Sequence, residues 1–321
     1  MNRSRELLPS VIEAIGHTPL VELSRLTRGE EGRILAKLEY LSPGFSKKDR
    51  IARQILEDAE AAGQLKPGQP VIELTSGNTG TGAAIVCAVQ KRPFIAVMSR
   101  GNSEERARMM RALGAEVILV EQAEGSASGM VSGKDLQLVE ERTAALTAER
   151  GAFRIDQFVR PANALAHELH TGPEIYDACG GALTAFCDFV GTGGSFAGLS
   201  KAFKARNSAI KAYVVEPEGA AVLKGMEASQ PNHRIQGGGY AIAKLPLLEG
   251  AAIDGFLTVS DEEAIDAARR LASEEGIFAG FSSGANVAAA LQLLRGPERG
   301  GTIVVLICDS GLKYLSTDLW R

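Results

Sequence analysis

Cysteine pairs are missing from this 321-residue sequence, although the chain contains four cysteines. Cys87, Cys179, Cys187 and Cys308 form no Cys-x-x-Cys motif and lie mostly in apolar segments. This pattern is typical of buried thiols in a reducing compartment, because disulfide frameworks and zinc sites need paired or clustered cysteines. We therefore expect a cytoplasmic protein with no disulfide framework and no bound metal.

Long hydrophobic runs and a strong charge imbalance are also missing. No apolar segment has the ~20 residues of a membrane-spanning helix, and the start, MNRSRELLPSVIEAIG, lacks the apolar centre of a signal peptide. The net charge of −4 argues against a general polyanion-binding surface. We therefore expect no membrane and no nucleic-acid partner, and the length allows two compact lobes.

What the sequence does contain is an alternation of short apolar runs and amphipathic stretches. The apolar runs predict strands at 34–39, 70–75, 94–99, 115–121, 186–191, 211–217 and 302–309. The amphipathic and small-residue stretches predict helices at 49–63, 78–90, 103–114, 195–206, 261–276 and 285–294. Such alternation is typical of βαβ units, so we predict an α/β fold whose mainly parallel, twisted sheets are flanked by helices.

One stretch departs from this pattern. Residues 121–135, EQAEGSASGMVSGKD, are rich in Gly, Ser and Ala and show no useful periodicity. A solvated surface loop is the favoured interpretation, and the alternative is a mobile flap at the mouth of a cleft.

Three turns of small residues each precede a predicted helix. They are ELTSGNTGTG (73–82), FVGTGGSFAG (189–198) and FAGFSSGAN (278–286). Glycines let a backbone approach a ligand, and the free N–H groups at a helix N-terminus suit a carboxylate or a phosphate. One such turn is often only a helix cap, but three in one α/β chain predict a shared site at the carboxyl ends of the strands. None has the Walker spacing, and GTGGSFAG fits a dinucleotide motif poorly, which disfavours a kinase or a dehydrogenase.

The segment SPGFSKKDR (42–50) places two lysines at a predicted helix start. Ser46 is a candidate N-cap with Asp49 three residues later, so Lys47 and Lys48 would lie in the first turn. The positive end of a helix, together with burial, lowers the pKa of a lysine and favours a reactive neutral amine. On local sequence alone, a solvated charged face is the favoured interpretation of the segment.

These motifs, in this order along the chain, resemble those of the pyridoxal-phosphate-dependent cysteine synthases and cystathionine β-synthases, which share the fold of type II pyridoxal phosphate enzymes with tryptophan synthase β chains. The matching segments are SxKDR, TSGNTG, GTGGSxxG, GxSSGA and DSGxKYLST, with IGHTPLVEL (15–23), TGPEI (171–175) and IQGGGY (235–240) in support. The resemblance runs from about residue 12 to about residue 317.

The resemblance implies a role for each matching position. Lys48 would bind the cofactor aldehyde covalently, Asn78 would bond the cofactor 3′-oxygen, and Ser282 would bond its pyridine nitrogen. The cofactor phosphate would be held by a run of small residues, namely Gly191, Thr192, Gly193, Gly194 and Ser195. The substrate carboxylate would be bound by the other polar turn and one glutamine, namely Thr75, Ser76, Gly77, Asn78, Thr79 and Gln157.

The implied reaction is β-replacement on an O-activated L-serine through an α-aminoacrylate, with Lys48 acting first as base and then as acid. A cysteine synthase using a thiol or sulfide is the leading hypothesis for this amino-acid biosynthetic transferase or lyase. The alternatives are β-elimination, or replacement with another donor or nucleophile to give cystathionine or a non-protein amino acid. A third hypothesis, a cofactor-binding protein that serves as an interaction partner, is disfavoured by intact Lys48, Asn78 and Ser282.

The resemblance also implies a domain division and a homodimer. Residues 1–45 and 156–321 would form a large cofactor-binding domain, and residues 46–155 a smaller mobile lobe. The chain departs from the family pattern at Phe45, Lys47 and Arg160. Lys47 and Arg160 would either accommodate an anionic substrate or be solvated.

Overall fold

The computed structural model describes residues 7–126, 131 and 133–321, which form ten strands and nine α-helices. The strands are β1 (Leu20–Glu22), β2 (Arg33–Lys37), β3 (Val71–Leu74), β4 (Phe94–Ser99), β5 (Glu116–Val120), β6 (Phe153–Arg154), β7 (Ala185–Phe189), β8 (Lys211–Pro217), β9 (Gly255–Val259) and β10 (Thr302–Leu306). The helices are α1 (Lys48–Ala61), α2 (Asn78–Gln90), α3 (Glu104–Ala112), α4 (Gly133–Arg150), α5 (Ala162–Ala166), α6 (Gly172–Ala178), α7 (Gly194–Arg206), α8 (Asp261–Glu275) and α9 (Phe281–Leu294). A π-helical turn, His167–Thr171, joins α5 to α6.

The strands form two sheets. The larger has the order β1-β2-β10-β7-β8-β9 and the smaller β5-β4-β3-β6. Within these sheets only the β1–β2 pair is antiparallel. Strands β3, β4, β7 and β10 are buried along their whole length, as expected of parallel strands with helices on both faces. The predicted α/β fold with mainly parallel sheets is confirmed.

Side-chain alternation along β7 divides the core of the larger sheet. Cys187 packs on the side of α8 and α9, whereas Phe186 packs on the side of α7. Phe186 contacts Phe196 and Phe203 of α7, with ring centroids 5.3 Å away in both cases. Successive residues of a strand face opposite sides, so the next even-numbered position of β7, Asp188, also faces α7.

The smaller sheet lies within residues 71–154, whereas the larger sheet takes strands from both ends of the chain. This distribution follows the order expected for an inserted lobe. The boundaries at residues 45 and 155 stay a prediction.

Several predicted elements have the observed bounds, and others differ. Helix α2 and strands β4 and β8 begin and end where the sequence predicts. Strand β9 and helix α4 were not predicted. Helix α9 begins at Phe281 rather than at residue 285, so the serines of the third turn lie in its first helical turn. The residues from Phe281 onward are buried, and packing stabilises a helix there that small residues do not signal.

The predicted capping of α1 by Ser46 and Asp49 is wrong. The helix begins at Lys48 with Lys47 as its N-cap residue, and no side chain caps it. Asp49 instead accepts the backbone N–H of Gly44 at 2.5 Å, because its carboxylate is buried beneath the preceding turn. Lys47 therefore lies before the first turn of the helix and not in it.

The stretch at 121–135 is only partly a loop. Helix α4 starts at Gly133, and Asp135 is buried and accepts the backbone N–H of Ala123 at 2.6 Å. The prediction of a solvated loop is therefore wrong for residues 133–135. Residues 127–130 and 132 lie outside the described residues, and a flap role stays a prediction.

The four cysteines are free thiols, buried at Cys87, Cys187 and Cys308 and half-buried at Cys179. Within the described residues, no group of three or more His, Cys, Asp or Glu side chains is arranged to hold a metal ion. No helix in the described part of the chain is long and apolar enough to cross a bilayer.

Candidate active site

The carboxyl ends of β3 and β7 meet at a small cavity beside Lys48. Its volume is about 30 Å³, and it opens beside a cleft of about 1020 Å³. Seven predicted site residues line the cavity, namely Lys48, Ser76, Asn78, Thr79, Gln157, Gly191 and Thr192. Turns separated by more than a hundred residues therefore form one site, as the sequence predicts.

Lys48 is half-buried at the N-terminus of α1, and its amine faces this cavity. Burial lowers the pKa of Lys48 to about 8, and the ammonium of Lys47 lowers it further against the opposing pull of Asp188. A lysine with this pKa holds a substantial fraction of neutral amine near neutral pH. It therefore suits nucleophilic attack on an aldehyde and proton transfer at carbon.

Residues 75–79, called loop 75–79 below, are held by their own hydroxyl groups. The hydroxyl of Thr75 accepts the backbone N–H groups of Gly77 at 2.9 Å and of Gly80 at 3.0 Å. Gly77 has φ +125°, and a Cβ there would lie 2.5 Å from Cδ of Arg106. Only glycine fits this conformation and this close approach, so the loop needs Gly77 to turn into α2.

Gln157 and Thr79 form one wall of the cavity. The Thr79 hydroxyl donates to Oε1 of Gln157 at 2.6 Å, and Nε2 of Gln157 donates to the carbonyl of Leu74 at 3.1 Å. The Glu73 carboxylate accepts the backbone N–H of Gln157 at 3.3 Å, and burial raises the pKa of Glu73 to about 8. The wall is thus fixed from behind by hydrogen bonds.

The orientation of the Asn78 amide is fixed by two buried charged groups that the sequence did not single out. Nζ of Lys313 donates to Oδ1 of Asn78 at 2.7 Å, and Nδ2 of Asn78 donates to Oδ2 of Asp309 at 2.7 Å. Since an amide nitrogen carries two protons, one proton remains for a ligand. This arrangement favours Asn78 as a hydrogen-bond donor in the cavity.

Residues 191–194, called the glycine turn below, lead into α7 and form a cradle in which Thr192 alone carries a side chain. A Cβ at Gly191 would lie 2.7 Å from the carbonyl oxygen of Gly237, and one at Gly194 would lie 2.0 Å from Oδ1 of Asn163. Gly193, at φ +86°, is the N-cap residue of α7, and no side chain caps the helix. The Gly194 N–H donates to Thr192 Oγ1 at 3.4 Å, and the next N–H groups of the first turn are available to an anion such as phosphate.

Ser195 follows the glycine turn, and its hydroxyl is engaged. It donates to Oδ2 of Asp188 and accepts a hydrogen bond from Nζ of Lys47 at 2.9 Å. A hydroxyl has one proton, so in this arrangement Ser195 offers a phosphate its backbone N–H.

Ser282 lies in the first turn of α9, behind the cavity. It is buried, and its side chain lies beside the Cys308 thiol. A Cβ built on Gly237, which lines the cavity, would lie 3.8 Å from Ser282 Oγ. Its position is therefore next to the site, on the side of the larger sheet.

The position of Lys47 contradicts both predictions made for it, namely that it is solvated or that it accommodates an anionic substrate. It is 6% exposed, and its Nζ lies 2.9 Å from Oδ1 of Asp188, 3.2 Å from Oδ2 of Asp188 and 2.9 Å from Oγ of Ser195. Burial opposes the charged form, but the Asp188 carboxylate outweighs it and raises the pKa of Lys47. Lys47 is therefore neither solvated nor free to bind an anionic substrate. Lys47, Asp188 and Ser195 are called the Lys47 cluster below.

Phe45 and Arg160 also lie outside the site. Phe45 is 42% exposed, and Arg160 stacks on the Phe153 ring at 4.4 Å from the ring centroid. Arg160 also donates to the carbonyl of Arg154 at 3.2 Å and to Oε1 of Gln64 at 3.1 Å. Neither side chain lines the cavity or the cleft.

Tyr240 lines the cavity and the cleft, and sequence reasoning did not place it in the site. Its hydroxyl lies beside the Ser76 side chain, and its ring centroid lies 6.1 Å from that of Phe158. The signal was available, because a polar aromatic residue follows three consecutive glycines at 237–239.

Comparison with known proteins decides the family. The family described as "Pyridoxal-phosphate dependent enzyme" matches residues 11–309. The chain belongs to this family. A cysteine synthase of Staphylococcus aureus is 37% identical over 313 residues, covering 97% of this chain and 96% of the relative.

Solved structures agree with this assignment. The crystal structure of a cysteine synthase from Entamoeba histolytica has a TM-score of 0.90 at 35% identity and covers 99% of this chain and 92% of that one. An O-acetylserine dependent cystathionine beta-synthase from Helicobacter pylori has a TM-score of 0.89 at 33% identity, covering 98% and 100%. The fold is that of the type II pyridoxal phosphate enzymes.

The residues present fit pyridoxal phosphate. The uncapped start of α7 and the glycine turn suit its phosphate, and Lys48 suits its aldehyde. The cavity beside Lys48 holds only about one or two water molecules. The cavity continues into the larger cleft, with which it shares Ser76, Gly237 and Tyr240, so this pyridoxal phosphate enzyme has more space beside Lys48 than the cavity alone provides.

Proposed function

We propose that this enzyme catalyses β-replacement on an O-activated L-serine and is cysteine synthase-like. The observation that carries the proposal is the half-buried Lys48 amine, which lies in one cavity with loop 75–79 and the glycine turn. The similar cysteine synthases of Staphylococcus aureus and Entamoeba histolytica support the same reaction class. The substrates are accordingly an amino acid and a sulfide or thiol nucleophile.

Lys48 has two tasks in this proposal. When bound, pyridoxal phosphate supplies an aldehyde that joins an amine and a ring that withdraws electrons from the substrate Cα. The neutral Lys48 amine accepts the Cα proton and later returns a proton to the same carbon. A pKa of about 8 suits both directions, because the two protonation states are then both populated near neutral pH.

Loop 75–79 binds the substrate carboxylate in this proposal. The loop ends at the N-terminus of α2, where Asn78 and Thr79 begin the helix and backbone N–H groups face an anion. The Thr79 hydroxyl proton goes to Gln157, so the loop would bind through its backbone N–H groups, including that of Asn78, and through the Ser76 hydroxyl. Gln157 would orient Thr79 and contact the carboxylate from the same wall.

The remaining proposed contacts hold the cofactor. Gly191, Thr192, Gly193, Gly194 and the Ser195 N–H would hold its phosphate, and Asn78 would donate to its 3′-oxygen. Ser282 would be the partner of its pyridine nitrogen. A serine does not hold a positively charged ring as a carboxylate does, so it favours loss of a β-substituent over transamination.

A second candidate is replacement with a larger nucleophile. The cleft beside the cavity has a volume of about 1020 Å³, far more than a sulfide ion requires. The solved Helicobacter pylori structure is that of an O-acetylserine dependent cystathionine beta-synthase. Formation of a thioether amino acid is therefore the alternative that the shape of the cleft favours.

A panel of donors and nucleophiles tests the proposal. We expect O-acetylserine with sulfide to yield cysteine, measured by mass spectrometry, and each product to require both partners. If another serine derivative gives product and O-acetylserine does not, the cysteine synthase assignment is wrong, but the assignment to β-replacement stands. If pyruvate and ammonia form at the same rate with and without a nucleophile, the enzyme catalyses β-elimination. If no donor and nucleophile pair gives a product, the proposal is wrong.

We also propose a homodimer in the cytoplasm. The dimer rests on the family resemblance, and light scattering of the purified protein should give twice the chain mass of 33.9 kDa. A mass of one chain at micromolar concentration would exclude a stable dimer. The compartment rests on the four free thiols, and cell fractionation tests it.

A further inference from the structure

The Lys47 cluster joins three elements that surround the proposed cofactor site. Lys47 is the N-cap residue of α1, Asp188 lies in β7, and Ser195 lies in the first turn of α7. Asp188 and Ser195 therefore bracket the glycine turn, and Lys47 is bonded to Lys48. One buried ammonium group thus connects the covalent lysine to the proposed phosphate cradle.

The Lys47 ammonium group donates its hydrogen bonds to buried side chains. Its two partners are the Asp188 carboxylate and the Ser195 hydroxyl, and the side chains of Lys47 and Asp188 are 7% and 0% exposed. Its backbone N–H donates to the carbonyl of Cys308 at 2.8 Å. This geometry assigns Lys47 to the support of the site and leaves substrate contact to Lys48.

Lys47 is also the cation closest in sequence to the reactive amine. The other groups that act electrostatically on Lys48 are Asp188 of β7 and, after β10, the Cys308 thiol and Asp309. His167 faces the same lysines from the π-helical turn, and burial keeps its pKa far below the usual range, so it is neutral. Burial has the largest effect on the pKa of Lys48, and the charges that modify it are one adjacent cation and nearby acidic groups.

We propose that Lys47 is a positioning residue whose ammonium group ties the start of α1 to the glycine turn and favours the uncharged amine of Lys48. This inference rests on the proposed use of Lys48 as the reactive amine. Repulsion between adjacent ammonium groups disfavours a second charge on Lys48. The Asp188 carboxylate keeps Lys47 charged, so that the repulsion persists across the neutral pH range.

The test compares Lys47→Met with Lys47→Met/Asp188→Asn in the full-length chain. The single variant removes the cation and leaves the carboxylate, whereas the double variant removes both charges. After the cofactor has been dialysed away, acetylation of Lys48 by acetic anhydride is measured across pH by peptide mass spectrometry. Fragment spectra separate Lys47 from Lys48, and cofactor dissociation from the loaded protein is followed in parallel.

We expect the midpoint of Lys48 acetylation to rise by about one pH unit in Lys47→Met. Below the midpoint, this shift lowers the fraction of neutral Lys48 amine about tenfold. In the double variant the midpoint should lie between that of the single variant and that of the unchanged protein. Cofactor dissociation should be fastest in the single variant, because a lone buried carboxylate draws water or cations toward the glycine turn.

An unchanged midpoint in the single variant would overturn the inference, and so would a larger shift in the double variant than in the single one. If Lys47 had a purely structural role, its substitution would change the free energy of unfolding and would not change the midpoint of Lys48 acetylation. If the single variant does not fold, the double variant decides, because its midpoint must still exceed that of the unchanged protein. Lys201→Met, which removes an exposed cation, is the matched control and should cause no shift.

The measurement uses no donor and no nucleophile. Failure of the cysteine synthase assignment therefore leaves the midpoints unaffected, whereas failure of the inference leaves the product panel unaffected. The two proposals are tested separately.

Discussion

Lys48→Ala is expected to abolish covalent attachment of pyridoxal phosphate and to lower product formation by about 10³-fold or more, because it removes both the nucleophile and the proton carrier. Lys48 is the lysine whose amine faces the cavity, whereas the Lys47 ammonium is enclosed by Asp188 and Ser195. Borohydride reduction followed by peptide mass spectrometry locates the attachment site.

The matched control for this prediction is Lys47→Met/Asp188→Asn, which should retain the attached cofactor. Lys47→Ala alone is a poorer control, since loss of one partner of a buried ion pair costs about 3–5 kcal/mol of folding free energy. Cofactor mass on Lys47 in the unchanged protein would refute the assignment, as would a normal adduct in Lys48→Ala.

Gly194→Ala is expected to weaken pyridoxal phosphate binding by about 10- to 100-fold, measured by equilibrium titration of the cofactor. A Cβ at Gly194 would lie 2.0 Å from Asn163 Oδ1, so either the glycine turn or Asn163 must move. Asn163 holds the turn, because its Nδ2 donates to Thr192 Oγ1 at 3.0 Å and to the Gln157 carbonyl at 2.7 Å. Overpacking of this kind typically costs 1–3 kcal/mol, which corresponds to the stated range of affinity.

Gly133→Ala controls for the loss of a helical glycine. Gly133 lies at the start of α4, and a Cβ there would meet no atom within 4 Å. Cofactor affinity should not change in this variant. Equal losses in Gly133→Ala and Gly194→Ala would mean that the cradle geometry is not what limits binding.

Much of the fold could be predicted because its local signals agree with its packing. Strand β4 is a continuous apolar run between turn residues, and α2 follows a Gly/Thr turn, so both were predicted at their observed bounds. Strand β9 is half-buried over most of its length, and its sequence GFLTV lacks a strong alternating pattern. Helix α4 starts in a stretch whose glycines and serines resemble a loop.

The site was predictable where it consists of consecutive residues and unpredictable where it depends on distant partners. The SxKDR and TSGNTG segments, together with the other matching motifs, indicate Lys48 and loop 75–79. The partner of Lys47 is 141 positions away, and only tertiary folding brings Asp188 to it. A sequence signal existed, since Asp188 is a lone carboxylate inside the apolar strand AFCDF, but it did not specify which cation would meet it.

The position of strand β10 links the folding of this enzyme to the order in which its chain is synthesised. It lies between β2 and β7 in the larger sheet and pairs Thr302 with Arg33, near the opposite end of the chain. A nascent chain emerging from the ribosome contains loop 75–79 and the glycine turn long before it contains β10. Until β10 has been made, β2 and β7 have no common neighbour in the larger sheet, so the sheet that brings the lysine and the phosphate cradle together is completed only by that strand.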